Sequence, residues 1–241
     1  LAMVFSSNVF LLYFFPIFLA LYFITPKKFR NYTLLLASFI FYAYGAPEFV
    51  IQLIVSNIAN FYLVKYMHRS EKPLTKKILC GISITISIGL LFYYKYGNFS
   101  MQNFNFIAGL FGKEPVEWMK ILLPIGISFF SFQSVTYTLD TYRGINEPMK
   151  KLSDYMLYIT MFPQLVAGPI IRYCDIADQI KERESLMSDR LHGFYRFVLG
   201  LSKKILIADV IGFQVDKILG PSNYDILTSG QLQDITNKIA S

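Results

Sequence analysis

Two kinds of residue in this sequence could bind a substrate: cations inside apolar segments, and residues that break an apolar helix. A charged side chain at the centre of a bilayer costs roughly 2.5 to 3.5 kcal/mol on insertion scales, so it should face water, protein or a ligand. Proline and glycine interrupt the hydrogen bonding of a helix, and broken helices inside membranes usually line a site. The candidate substrate-binding residues of the two kinds are Gln164, Gly168, Pro169, Arg172, Lys203 and Lys204.

The cations among these residues favour an anionic ligand that approaches from the cytoplasm. Lys203 and Lys204 are adjacent within an apolar helical pattern, and a lysine offers a point charge to a phosphate. Arg172, just after the glycine–proline pair, can add a bidentate contact. Snorkelling of both lysines to the membrane interface explains the pair equally well. On a regular helix Asp209 points away from the face of Lys203, so it needs another partner.

The two cysteines indicate neither a disulfide nor a metal site. Cys80 lies in an apolar run and Cys174 in a charged segment, and their spacing fits no metal-binding motif. We expect both to be free thiols, and we expect no metal site.

The composition is that of a membrane protein built from helices. Of the 241 residues, 54% are hydrophobic and 16% are charged, which is too apolar for an ordinary soluble domain. A net charge of +7 would suit nucleic acid in a soluble protein, but here Lys and Arg cluster between apolar runs. We therefore predict one all-α, multi-pass domain over residues 1–241, placed in the cytoplasmic (inner) membrane. The lipid bilayer is an expected partner and nucleic acid is not.

Apolar runs and the basic groups between them predict the order of the spans. The first basic group follows the first span, so the N-terminus should lie outside, and the same count places Lys72 and Lys151 in the cytoplasm. No Lys or Arg precedes the first run, which disfavours a cleaved signal peptide. Residues 95–120 should form an outer connection at the interface. The predicted spans are residues 4–25, 33–46, 49–66, 78–94 and 121–138.

The run over residues 155–171 should form a re-entrant hairpin and not a sixth span. A single crossing would place Arg172 and the basic residues after it outside, whereas a turn in its proline–glycine region keeps both ends in the cytoplasm. Beyond the hairpin we predict an amphipathic surface helix over residues 175–189 and a further helix over residues 189–213.

Two helix faces in the predicted spans favour helix packing. Gln52, Ser56 and Asn60 recur every four residues, and we expect interhelical hydrogen bonds from them in preference to substrate contacts. A four-residue spacing of small residues in the fourth span favours the close approach of another helix. These small residues are Gly81, Thr85 and Gly89.

Three separated motifs combine apolar, polar and proline residues in an unusual way. They read LLPIGISFFSFQSVTYTLDTYRG, MFPQLVAGPIIRYCD and GLSKKILIAD, and the chain opens with MVFSSNVFLLYFFPIFLALYF. In this order they resemble the membrane-bound O-acyltransferase family, specifically its alginate O-acetylation subgroup, over residues 3 to about 220. The resemblance implies a multi-helix ring around a thin central membrane region, which admits an acyl donor from the cytoplasm and an acceptor from outside.

The activity that the resemblance implies is acetyl transfer to hydroxyls of an exported, alginate-like polysaccharide. Acetyl-CoA is the expected donor, without a bound cofactor. Membrane or periplasmic polysaccharide-modification proteins are expected partners.

One departure from the family concerns the catalytic histidine, which lies in a later apolar helix that this sequence does not contain. The chain therefore resembles the N-terminal part of a family member. His68 lies in a basic loop and His192 at the start of a helical pattern, so neither matches the histidine motif. We predict no catalytic residue in this chain, and we expect the chain alone to be inactive.

Three other functions stay open at this point. A related member of the same family moves D-alanine onto teichoic acids from a carrier-protein thioester and shares much of the architecture. A membrane transporter would also use broken helices, but it should show inverted repeats, and none is visible in the sequence. A non-catalytic membrane scaffold would leave the helix break and the lysine pair without a purpose.

Overall fold

The computed structural model describes residues 5–165, 171–181 and 186–219, and within these ranges it contains helices and no strand. The predicted all-α fold class is confirmed. The chain separates into two compact units. The first holds the described residues between 9 and 181, and the second holds residues 5–8 and 186–219.

The first unit contains the following helices in chain order. They are α1 (Phe15–Ile24, after a π-helical turn at Phe10–Phe14), α2 (Arg30–Gly45), α3 (Val50–Arg69), α4 (Pro73–Leu110), α5 (Ile127–Tyr142), α6 (Leu152–Thr160), α7 (Phe162–Leu165) and α8 (Tyr173–Lys181). The second unit contains α9 (Met187–Lys203), a π-helical turn at Lys204–Ala208, and α10 (Asp209–Leu219).

Two helices of the described chain are long and apolar enough to cross a membrane. They cover Pro47–Arg69 and Pro73–Leu110, and a shorter apolar helix covers Phe10–Ile24. This agrees with a membrane protein, while the number of crossings stays a prediction.

The end of α4 differs from the predicted span over residues 78–94. The helix continues to Leu110, so most of the expected outer connection is helical. Residues 113–124, here called the strap, return along it without regular secondary structure. The Asn98 amide of α4 holds the strap in place. Its nitrogen donates to the Ile121 carbonyl (2.8 Å), and its oxygen accepts from the Ile121 N–H (2.9 Å).

The start of α5 also differs from the predicted span over residues 121–138. Because Ile121 is held in the strap, the helix begins only at Ile127, after Gly126 in the left-handed conformation at φ 76°. The surface helix predicted over residues 175–189 corresponds to α8 and the start of α9, and residues 182–185 lie outside the described ranges. The helix predicted over residues 189–213 lies within α9, the π-helical turn and α10.

The core of the first unit contains a buried polar seam where α3, α4 and α5 pack together. Asn60 donates to the Ser87 hydroxyl (3.0 Å) and accepts from the Ser83 hydroxyl (2.9 Å), which also lies 3.0 Å from the Thr138 hydroxyl. Asn60 thus makes the interhelical hydrogen bonds expected of the face that it shares with Gln52 and Ser56. The Ser56 hydroxyl bonds within its own helix instead.

The small-residue face of α4 is open within the described chain. A Cβ atom added at Gly81 or Gly89 would meet no atom within 4 Å, and Thr85 is exposed. The expected neighbouring helix is therefore absent from this face in the described ranges. The buried face of α4 lies at Cys80, Ser83, Ser87 and Leu91.

Candidate substrate site

The break between α6 and α7 is held by side chains that bond the backbone groups it frees. Met161 has ψ 115°, and Pro163 cannot donate a backbone hydrogen bond, so the helix cannot continue. The Phe162 N–H donates to the Ser38 hydroxyl of α2 (3.1 Å) instead of to the Tyr158 carbonyl. The Tyr158 carbonyl accepts from the Gln164 side-chain nitrogen (2.6 Å). Side chains thus satisfy these two of the backbone groups that the break frees.

Gln164, one of the candidate substrate-binding residues, is 8% exposed. Its side-chain nitrogen donates to the Tyr158 carbonyl that the break frees, which gives this glutamine a structural role. Contact of Gln164 with a substrate stays a prediction.

The ring of Phe162 lies in a cluster of phenylalanines from the first helices of the chain. Ring centroids lie 5.2 to 6.2 Å from that of Phe162. This packing holds the break against α1 and α2. The surrounding rings are Phe10, Phe14, Phe18 and Phe41.

The turn before α5 touches the end of the break. A Cβ atom added at Gly126 would lie 2.3 Å from the Leu165 carbonyl oxygen, which is closer than any side chain allows. Two features therefore require glycine at position 126: the positive φ of the backbone and the close contact with the Leu165 carbonyl oxygen. The first two resemblance motifs meet at this contact.

A group of tyrosines lies beside the break and reaches the start of α8. The Tyr137 ring lies 4.9 Å from the Tyr155 ring and 5.2 Å from the Tyr173 ring, measured between centroids. The Tyr158 hydroxyl donates to the Ile171 carbonyl (3.1 Å), directly before Arg172. Arg172 itself is exposed. Gly168 and Pro169 lie outside the described residues.

The lysine pair lies in the second unit, where α9 passes into the π-helical turn. The Lys204 side chain forms an ion pair with Asp209, and both side chains are about half exposed. In an α-helix positions five apart lie on different faces, but here the Asp209 N–H bonds the Lys204 carbonyl, as a π-helix allows. Lys204 is thus the partner that Asp209 needed. Lys203 is exposed and forms no ion pair among the described residues.

The remaining reactive side chains do not assemble into a centre in the described ranges. His192 is exposed, and its Nδ1 atom lies 2.9 Å from the Ser188 carbonyl oxygen of the same helix. Both cysteines are free thiols, as predicted, with Cys80 buried and Cys174 exposed. No group of three or more His, Cys, Asp or Glu residues could hold a metal in the part of the chain that the structure describes.

Sequence reasoning missed two residues of this region, Ser38 and Tyr158. Ser38 is a single hydroxyl in an apolar run, and its partner lies 124 residues away. Tyr158 was one aromatic residue among many. A hydroxyl in the predicted span over residues 33–46 was the available signal for Ser38, because a polar group in an apolar environment needs a partner.

Together, the fold and the site define a protein of membrane type that is helical within the described ranges, with a braced helix break a few residues before Arg172. Comparison with known proteins identifies its relatives. The chain is 38% identical over 224 residues to a probable alginate O-acetylase of Pseudomonas putida. The match covers 92% of this chain and 46% of the relative. A probable alginate O-acetylase of Azotobacter vinelandii is 37% identical over 208 residues, with 86% and 42% covered.

A third relative has a different printed acceptor. A peptidoglycan O-acetyltransferase of Helicobacter pylori is 28% identical over 239 residues, covering 86% of this chain and 45% of the relative. No protein-family model and no solved structure matches the chain. These relatives confirm the resemblance to the alginate O-acetylation proteins. The chain spans about half the length of the curated relatives it matches.

Proposed function

We propose that this chain forms part of a membrane-bound O-acyltransferase that moves acetyl groups onto hydroxyls of an exported, alginate-like polysaccharide. The observation that carries the proposal is the similarity to probable alginate O-acetylases over 92% of the chain. The peptidoglycan O-acetyltransferase supports the same reaction with another acceptor. Acetyl transfer is therefore supported by both kinds of relative, and the alginate-like acceptor by one.

The chemistry requires a base, an acceptor hydroxyl and a thioester donor. The base takes the proton of the sugar hydroxyl as the oxygen attacks the thioester carbonyl, and the donor thiolate leaves. The family resemblance assigns the base to a histidine outside this sequence, so this chain supplies helix walls and donor contacts. Acetyl-CoA is the proposed donor, and no bound cofactor takes part.

Arg172 is the proposed donor contact in the first unit. Its exposed guanidinium follows the braced break, and a guanidinium can bind a phosphate through two parallel hydrogen bonds. Gln164, Gly168 and Pro169 are proposed to line the same approach. Acetyl-CoA carries phosphates, so a cation is suited to hold it.

The lysine pair of the second unit is also a proposed contact for the donor's phosphates. Lys204 is already neutralised by Asp209, so Lys203 offers the charge that has no ion-pair partner among the described residues. In the full-length protein, replacing both lysines by glutamine should raise the KM for acetyl-CoA, with a smaller effect for a donor analogue that lacks the phosphates. An equal effect on both donors, or a loss of protein abundance alone, would assign the pair to membrane anchoring.

The proposed location is the cytoplasmic (inner) membrane, crossed several times. Membrane or periplasmic polysaccharide-modification proteins are the proposed partners. Two helices with the length and apolarity of membrane spans support this location.

Transfer assays with the full-length protein in lipid vesicles test the function. Labelled acetyl-CoA should acetylate an alginate-like polymer, while a D-alanyl carrier thioester should not react. D-alanine transfer without acetyl transfer would favour the teichoic-acid alternative, and solute uptake without transfer would favour a transporter. A sample of residues 1–241 should be inactive, and turnover by it that His192→Ala abolishes would make His192 the base.

A further inference from the structure

Tyr158 is bonded at both its backbone and its side chain. Its carbonyl accepts from Gln164 (2.6 Å), and its hydroxyl donates to the Ile171 carbonyl (3.1 Å). The residue is fully buried, and its ring centroid lies 6.3 Å from that of Tyr137 and 5.7 Å from that of Tyr173. Tyr158 therefore has little freedom to move independently of the helix break.

The hydroxyl of Tyr158 bonds the peptide that leads into Arg172. A peptide unit is planar, so the Ile171 carbonyl and the Arg172 N–H rotate together as one rigid group. A buried donor on that carbonyl therefore fixes the orientation of the peptide plane from which Arg172 extends. Direction matters for arginine, because its fork binds a phosphate through two parallel hydrogen bonds only in a narrow range of orientations.

We infer that Tyr158 is a positioning residue, whose hydroxyl orients Arg172 toward the phosphates of the acyl donor. The inference rests on the proposed function, in which Arg172 contacts the donor. Tyr158 touches neither donor nor acceptor in this role. It acts on donor binding and leaves the acetyl-transfer step unchanged.

Replacing Tyr158 by phenylalanine in the full-length protein removes one hydroxyl and keeps the ring. The KM for acetyl-CoA should rise about 3- to 10-fold, as expected for one lost hydrogen bond, while kcat stays within about twofold. Tyr155→Phe is the matched control. It removes a hydroxyl from the same tyrosine group, but that hydroxyl faces Ser134 at 3.3 Å and not Ile171. Its KM should stay within about twofold of the wild-type value.

Variants of Arg172 separate this inference from the proposed function. Arg172→Gln should raise the KM for acetyl-CoA, and adding Tyr158→Phe to it should raise the KM no further. If Arg172→Gln leaves KM unchanged, the donor role of Arg172 fails. If Arg172→Gln raises KM but Tyr158→Phe does not, only the positioning role fails. Equal rises in KM for Tyr158→Phe and Tyr155→Phe would also overturn the positioning role. So would a full Tyr158→Phe rise in KM on the background of Arg172→Gln.

Two unnatural side chains keep the test decisive if the phenylalanine variant aggregates. 4-Fluorophenylalanine at position 158 fills the space of the hydroxyl without donating, so it should reproduce the rise in KM. 4-Aminophenylalanine restores a donor, so it should return KM toward the wild-type value. A failure of the amino group to rescue the KM that the fluorine raised would overturn the positioning role.

Discussion

Ser38 shows how one hydroxyl holds a distant feature of the chain. It is fully buried in α2, accepts the Phe162 N–H at 3.1 Å, and donates to the Leu34 carbonyl of its own helix at 2.8 Å. Without it, the Phe162 N–H would be buried and unpaired. A buried unsatisfied donor costs about 1 to 3 kcal/mol.

We predict that Ser38→Ala lowers the free energy of unfolding by about 1 to 3 kcal/mol. Denaturant titration of the protein in detergent measures this change. Ser56→Ala is the control, because the Ser56 hydroxyl is also buried but, among the described residues, bonds only the Leu53 carbonyl of its own helix. A loss no larger for Ser38 than for Ser56 would show that the break does not depend on this hydroxyl.

Gly126 is a second position where one residue determines local geometry. We predict that Gly126→Ala destabilises the fold by about 1 to 2 kcal/mol through its left-handed backbone, and by about 1 to 3 kcal/mol more through overlap with the Leu165 carbonyl. Gly112→Ala is the control, since Gly112 has φ 72° but nothing within 4 Å of an added Cβ atom. Thermal unfolding of the two variants compares them, and equal shifts would contradict the role of the Leu165 contact.

At the scale of elements, paired asparagine amides fasten the strap to α4. Asn98 forms two hydrogen bonds with the Ile121 backbone (2.8 and 2.9 Å), and Asn105 forms two with the Val116 backbone (both 2.9 Å). Each side chain acts as a further backbone unit would, by donating and accepting at once. The strap therefore keeps its place without being a helix or a strand.

Asn98→Ala should release the strap near Ile121. Hydrogen exchange should become faster across residues 113–124, while the first half of α4 keeps its protection. Asn103→Ala serves as the control, because the Asn103 amide bonds only the Phe99 carbonyl of its own helix. Unchanged exchange in the Asn98 variant, or equal acceleration in both variants, would mean that the amides do not hold the strap.

At the scale of the whole molecule, the length of α4 constrains how the chain meets a membrane. Its 38 residues extend about 57 Å, whereas the hydrocarbon core of a bilayer is about 30 Å thick. Even a tilt of about 40° leaves part of the helix beyond the hydrocarbon. Basic residues around Lys72 precede this helix, so its first turn is the end expected at the cytoplasmic face.

We predict that positions 72, 151 and 172 lie on the cytoplasmic side and that the N-terminus lies outside. Single cysteines at these positions, with Cys80 and Cys174 replaced, can be labelled in intact cells by a reagent that does not cross the membrane. The three positions should react only after permeabilisation. External labelling at 172 but not at 151 would exclude the re-entrant hairpin and favour a full crossing by residues 155–171.

The amino-acid sequence by itself determined the helical class and indicated an interruption within the run over residues 155–171. Apolar runs of span length between basic groups leave few alternatives to membrane helices, because a backbone in lipid must bond to itself. Pro163 also marks the break without any structure, since proline lacks the donor that a helix needs. The motifs that resemble the alginate O-acetylation proteins are likewise local in sequence, and the relatives confirm that resemblance.

Only the tertiary structure decided which groups satisfy the break, where α4 ends, and what Lys204 faces. Ser38 meets Phe162 across 124 residues, and Asn98 meets Ile121 across 23, so no local pattern could pair them. The Lys204–Asp209 pair depends on a π-helical turn, whose five-residue step the regular helical period does not contain. Local propensity determines helices, whereas the Ser38 and Asn98 contacts depend on which distant polar groups the packed chain brings within hydrogen-bonding distance.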